Sequence, residues 1–405
     1  MTGLQSHRPV VQSWPAAASE RFLHAAQLPA SLTPASGAAA QAAILVTGGT
    51  GFLGGHLLRA LLQRTSLPII CLVRGDKAGE KARLLARLSG SGITESARRL
   101  RVMSGDVTQP RLGLSAAAFT RLAASVGTVF HLAARLDFRS SFDTLRVTNV
   151  DSVRQVLSLA SVGVAKRIVY VSSLSVLDVP TYFGETVTEA TPLIDPECLP
   201  LGYAQTKWTA EVLLSAARER GFDAMCLRPS WIVGEARRGI ETDFIASLLR
   251  VFAATGATPE SSGALNLVPV RFVAEACALL GLSPAATPTA QRCIFHLGAP
   301  QAVTASGFAA AVAATGRRME RLPLADFLSR VSAHLQQARS LELMMFRHIF
   351  LGSSLRPAIG LPYLDGRAPV FDSTASLQVL QAAGLPPPEL DLTELAHVCL
   401  QSARP

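Results

Sequence analysis

Short apolar runs recur along the first half of the chain, each closed by a polar or glycine-containing break. Ile44-Leu45-Val46-Thr47 reads as a buried strand, and Ile69-Ile70-Cys71-Leu72-Val73, preceded by Pro68, as a second. Arg101 to Asp106 predicts a third strand, Thr128 to Ala134 a fourth and Arg167 to Val171 a fifth. Between them the apolar spacing turns helical, over Phe52 to Leu62, Ala78 to Leu88, Val150 to Ala160 (opened by Asn149) and again from Tyr203. Strands and helices alternating at this interval predict right-handed βαβ units on a parallel sheet. Ser19 to Gln27 is a candidate short helix. Ser31 to Ala43, rich in Ala, Ser and Pro, reads as a flexible lead-in or a segment that docks on the body.

Five glycines fall in the eight residues that follow the first strand, running into the first helix. Gly48/Gly51/Gly54 fits G-x-x-G-x-x-G, and Gly49/Gly51/Gly54 fits G-x-G-x-x-G, with Thr50, Phe52 and Leu53 filling the turn. Glycine permits the backbone angles of a tight strand-to-helix turn and lets N–H groups approach a pyrophosphate at the helix start. In this context the turn predicts a dinucleotide site. The second strand ends on Arg74, where an Arg accommodates a ribose 2′-phosphate and an acidic residue would favour a free 2′-OH. Arg74 thus argues for NADP, with Arg83 as a second phosphate candidate. Asp106 and Val107, closing the third strand, fall at the adenine edge. Ala133 falls where the backbone must run close to a cofactor, and Asn149 is a further cofactor-binding candidate. The fold class expected is α/β: a Rossmann-type doubly wound parallel sheet over residues 44–234, a lead-in at 1–43 and a smaller helix-rich lobe at 235–405.

The fifth strand runs into Ser172-Ser173-Leu174-Ser175, and Tyr203-Ala204-Gln205-Thr206-Lys207 follows some thirty residues later. The i, i+4 spacing puts Tyr203 and Lys207 on one helical face. A phenol is a weak acid–base group at neutral pH, and a neighbouring ammonium is expected to lower its pKa toward the working range. A serine at the strand end can hold a substrate oxygen in line. His131 reads as a structural residue at a strand end.

The net charge of +9 is carried almost wholly by arginine, since the lysines are only Lys77, Lys81, Lys166 and Lys207. No basic run with interleaved aromatics suggests nucleic acid. Six scattered cysteines show no C-x-x-C pair and no metal-ligand spacing, which fits a reducing cytoplasm and no metal. No apolar stretch of about 18 residues predicts a membrane span, and the N-terminus shows no signal-peptide core. Leu341 to Leu351 is the most hydrophobic part of the lobe, its Met and aromatic residues suiting core or an acyl pocket.

The motifs T-G-G-T-G-F-L-G (47–54), H-L-A-A (131–134), V-S-S-L-S-V (171–176), Y-A-Q-T-K (203–207) and L-R-P-S-W-I-V-G (227–234) resemble the extended short-chain dehydrogenase/reductases. C-L-V-R-G-D (71–76), S-G-D-V-T-Q-P (104–110), A-A-Q-L-P-A-S-L-T-P (25–34), N-L-V-P-V (266–270), F-H-L-G (295–298) and F-D-S-T-A-S-L (371–377) make the chain most similar to the thioester reductases among them. One departure is Arg271, where that family usually has an acidic residue. The resemblance implies an enzyme that uses NADPH to reduce an acyl thioester, held on an acyl-carrier protein or CoA, to an aldehyde and possibly an alcohol. It implies Tyr203 as acid, Lys207 as its tuner and Ser173, three before Val176, as the oxyanion-side donor. The C-terminal lobe would bind substrate, and a monomer is expected. The alternatives are a ketone reductase or sugar-nucleotide epimerase with the same triad, or a non-catalytic NADP-sensing module.

Overall fold

Seven parallel strands form the central sheet: β1 (Ala43–Thr47), β2 (Ile69–Val73), β3 (Leu100–Ser104), β4 (Val126–His131), β5 (Arg167–Val171), β6 (Asp223–Pro229) and β7 (Ile294–Leu297). Their order is β7-β6-β5-β4-β1-β2-β3. This is a computed structural model, and it describes residues 20–38, 42–75, 79, 84, 96–234, 244–283, 293–337 and 360–401. Successive strand residues face opposite ways, so Ile44 and Val46 pack on one side of the sheet and Leu45 on the other. On the first side the helices α1 (Phe52–Arg64) and α4 (Val270–Leu282) supply Leu57, Leu58, Leu61, Phe272, Val273 and Cys277. On the second, α2 (Ser152–Ala160) and α3 (Gly202–Glu219) supply Val153, Val156, Leu157, Leu213 and Leu214. Helices on both faces explain why the strands are continuous apolar runs rather than alternating ones.

Several expectations need correction. The third strand ends at Ser104 and the fourth at His131, because their neighbours stop pairing at Val73 and Thr47, so Asp106 and Ala133 lie in the loops beyond. Asn149 does not open a helix. The helical run starts about two turns earlier, where the Ser141 side chain accepts from Thr144 N, and Asn149 falls in a π turn (Val147–Asp151) before α2. The boundary at 234/235 does not close the sheet: α4 and β7 return from the second half of the chain, and β7 pairs with β6 from Ile294↔Cys226 to Leu297↔Pro229. Of the helix expected over Ala78 to Leu88 only residues 79 and 84 are described, both helical, and Arg83 and the Leu341 to Leu351 stretch lie outside the described residues.

The lead-in docks on the body where it is described. Phe22 of the helix Glu20–Ala25 is fully buried, edge-on to Phe142 at 4.6 Å. Arg154 donates to the carbonyls of Ala25 and Gln27, and Arg220 to those of Leu28 and Pro29. Ala35 N bonds Ala160 O, at 3.0 Å. Charged side chains thus hold backbone acceptors that composition alone marks as loose.

The smaller lobe gathers helices Phe244–Thr255, Ala305–Ala313, Leu324–Gln337 and Leu392–Gln401 around Phe252, Phe308 and Phe327. It joins the sheet's C-terminal edge through two small parallel pairs, Trp231–Val233 with Leu267–Pro269 and Thr186–Val187 with Val370–Phe371. No helix among the described residues is long and apolar enough to cross a membrane.

Candidate active site

The glycine turn is built as a cradle. Gly48 has φ +75°, and a Cβ there would lie 2.6 Å from Ala133 N. A Cβ on Gly54 would strike the carbonyl of Gly48 and lie 2.7 Å from Gly49 Cα. The first turn of α1 is thereby pressed against the end of β1. No side chain caps that helix at Gly51, which suits an anionic ligand at its start. This is the shape a dinucleotide pyrophosphate requires.

The catalytic candidates come from two elements. Gly202 starts α3 against the start of the helix Phe142–Arg146, where a Cβ would lie 2.5 Å from Ser140 O and 2.6 Å from Phe142 N. That close approach sets Tyr203 at the floor of the site. Lys207, one turn on, is buried, donates to Val171 O at 2.6 Å and has its Nζ 5.8 Å from the centre of the Tyr203 ring. At the end of β5 the two serines diverge. Ser172 is buried and donates to Glu211 at 2.5 Å. Ser173 is half-buried, and its Oγ accepts from Ser175 N at 3.1 Å, which leaves its O–H to donate.

Electrostatics here run opposite to the expectation for the phenol. Burial pushes the Tyr203 pKa up, not down. Burial is the cause of that rise, and burial also lowers Lys207, to about 7, partly opposed by Glu211. A raised phenol keeps its proton across neutral pH, the state required of an acid. His131 is enclosed between Thr47 Oγ1 (2.7 Å) and Ser152 Oγ (3.0 Å), and burial, then Lys207, lowers its pKa to about 3. It is a neutral structural residue. The unfolded chain binds that proton near the ordinary value of 6.5, so stability falls as pH drops from about 6.5 toward 3. Urea unfolding of His131→Gln between about pH 6.5 and 4.5 should show a slope shallower than wild type by up to about 1.4 kcal/mol per pH unit. Equal slopes would assign the proton elsewhere.

One cavity of about 620 Å³ brings together Gly48, Gly51, Phe52, Leu53 and Gly54 with Ser173, Tyr203 and Lys207. Thr50 lies in the same turn, and Ala133 stands directly over Gly48. Arg74 lies exposed just past β2 and makes no ion pair among the described residues. Asp106 and Val107 are half-buried just past β3, with Asp106 Oδ1 accepting from Thr108 N and Oγ1. Asn149 faces inward instead: its amide brackets Arg135 N (2.7 Å) and O (3.1 Å) and donates to Thr206 Oγ1 at 3.0 Å. It ties the loop after β4 to α3.

Sequence reasoning misses three groups. Glu211 and Arg228 form a buried ion pair beneath Ser172, with Nη2 to Oε2 at 2.6 Å. Trp231, at the start of a lobe-joining strand, and the pair Asp178–Tyr363 wall the cavity's far end. Glu211 continues the i, i+4 stripe of Tyr203 and Lys207, a signal the sequence carries. Asp178 and Tyr363 have no local signal joining them.

The family model described as Male sterility protein (NAD_binding_4) matches residues 46–277, more than half the chain. The crystal structure of the terminal R domain from the myxalamid PKS-NRPS biosynthetic pathway superposes with a TM-score of 0.82 at 30% identity, over 94% of this chain and 96% of that one. The chain belongs to this family of reductase domains, within the extended short-chain dehydrogenase/reductases. As such a domain it is also similar to parts of much longer proteins. It is 29% identical to a linear gramicidin synthase of Brevibacillus parabrevis over 89% of this chain and 7% of the relative. It is 33% identical to the L-2-aminoadipate reductase large subunit of Eremothecium gossypii over 60% of this chain and 19% of the relative. The chain thus spans a small fraction of the length of these relatives.

Proposed function

We propose that this domain reduces the thioester carbonyl of an acyl group carried on a phosphopantetheine arm, of a carrier protein or of CoA, and releases an aldehyde. What carries the reading is the continuity of the cavity. The glycine cradle, the Tyr203–Lys207–Ser173 group and an apolar chamber walled by the second lobe share one space. Bound NADPH would supply hydride to the thioester carbonyl carbon. The glycine turn from Gly48 to Gly54 would hold its pyrophosphate, Arg74 its 2′-phosphate, and Asp106 and Val107 its adenine edge. Ala133 would border the nicotinamide half, and Asn149 would support that wall through Arg135.

As negative charge develops on the carbonyl oxygen, Ser173 donates its O–H and Tyr203 gives its proton, producing a hemithioacetal. The Tyr203 phenolate then takes the proton back as C=O re-forms. The carbon–sulfur bond breaks, and the thiolate leaves to be protonated by water. Lys207 supplies positive charge beside the transient phenolate. The test is NADPH oxidation against an acyl-pantetheine thioester, an acyl-CoA, a ketone panel and a UDP-sugar. Consumption with thioesters is expected, and activity confined to ketones or sugars would overturn the proposal.

Arg74 makes the cofactor choice testable by itself. Arg74→Asp should weaken NADPH binding by about 2 kcal/mol, the worth of a charge-assisted pair, and leave NADH binding unaffected. Equal NADH and NADPH affinities in the wild type would remove that role.

A further inference from the structure

Among the described residues that line the cavity, Asp178 is the only carboxylate. Asp178 follows the tight helix Leu174–Leu177, lines the cavity and is buried. Its Oδ2 accepts from Tyr363 Oη at 2.9 Å. Among the described residues its Oδ1 accepts no hydrogen bond, and no cation pairs with it. Around it the wall is aromatic: Trp231 stands edge-on to Tyr363 at 6.2 Å and tilted on Phe244 at 4.7 Å.

A buried carboxylate with an open acceptor gains from a donor that arrives to meet it. Burial pushes the Asp178 carboxyl up to about 6, with the Tyr363 hydroxyl pulling it part-way back. It is therefore mostly ionised at neutral pH and lacks a counter-charge. A carboxylate in a cavity lined by indole and phenol rings favours an organic cation over a hydrated metal ion. The neighbouring positive group, Lys207, is committed to Val171 O at the cofactor end. The short helix between Ser173 and Asp178 advances about 2 Å per residue, so their backbone positions stand up to roughly 10 Å apart along the cavity wall. A cation bound there belongs to the distal part of an acyl chain whose carbonyl lies at Ser173.

We propose that this end of the cavity is a subsite for an ammonium carried on the acyl chain, with Asp178 as its counter-charge and Trp231 and Tyr363 as its walls. The proposal rests on the thioester reading above and narrows its substrate to long-chain aminoacyl groups.

The test separates the two claims by measuring binding without turnover. Non-reducible pantetheine amides of 6-aminohexanoic and heptanoic acid differ only in a terminal ammonium against a methyl. Calorimetry on the wild type with NADPH should show the amino compound binding roughly 10- to 100-fold more tightly, the range of one charge-assisted hydrogen bond. Asp178→Asn keeps an acceptor for Tyr363 and removes the charge, so the ratio should fall to about one. Equal or weaker binding of the amino compound by the wild type overturns the subsite. So does an unchanged ratio in the Asn variant. The corresponding thioesters then report on the reaction itself. An amine preference in binding with neither thioester reduced would leave the subsite standing and overturn the reductase reading.

Discussion

Tyr203→Phe is expected to lower thioester turnover by roughly 10²–10⁴-fold, the usual worth of a positioned acid, while NADPH still binds. The substitution removes one hydroxyl from a ring whose position is set by the close seating of Gly202 and by the α3 backbone, so the fold should survive. Because burial raises the phenol, the wild-type activity should show no loss of acid function on going from about pH 6 to 8. The two serines give the companion comparison. Ser173 keeps its O–H available in the cavity, whereas Ser172 spends its own on Glu211. Ser173→Ala should therefore cost a factor comparable to the Tyr variant, and Ser172→Ala should act on stability more than on turnover. Near-native turnover in Tyr203→Phe would refute the acid assignment.

Glu211→Ala is expected to destabilise the protein by about 3–5 kcal/mol, because it strands a buried guanidinium. Arg228 is 1% exposed and reaches both carboxylate oxygens through Nε, at 3.0 and 3.1 Å. Its Nη1 continues to His296 Nε2 at 3.3 Å, and His296 Nδ1 contacts Asp372 O at 2.9 Å. The pair therefore links the catalytic strand end to the segment that enters the C-terminal helices. Replacing both partners with apolar residues of similar size, Glu211→Leu with Arg228→Met, should recover most of the loss, since no charge is then stranded. Urea midpoints for the single and double variants decide the point. A single variant as stable as wild type would mean that Arg228 is compensated by other groups.

How far the sequence predicts these features depends on how local each one is. The cradle is readable because a strand, a glycine turn and a helix close together in the chain force its geometry, as the tight seating of Gly48 and Gly54 bears out. Tyr203 and Lys207 are readable because i, i+4 spacing is a property of any helix. The fifth strand and its serines are readable, but the choice of Ser173 over Ser172 comes from the family pattern, and the contact of Ser172 with Glu211 gives it a physical reason. What escapes is long-range. Ile294–Leu297 is a short strand far from its partner Asp223–Pro229, so the chain's return to the sheet has no local mark. The docking of residues 20–38 depends on Arg154 and Arg220, more than a hundred positions away. The direction of the Tyr203 shift escapes as well. Sequence shows that Lys207 is adjacent, whereas the degree of burial that outweighs its charge is a property of the assembled site.

The most direct test of the central claim is stoichiometry. Protein, NADPH and an acyl-pantetheine thioester are mixed, and NADPH loss, free thiol and aldehyde are quantified in the first turnover. Thiol should appear only when NADPH is present, with one NADPH consumed and one aldehyde formed for each thiol released. Thiol release without NADPH, or NADPH consumption without thiol, would contradict reductive cleavage at this site.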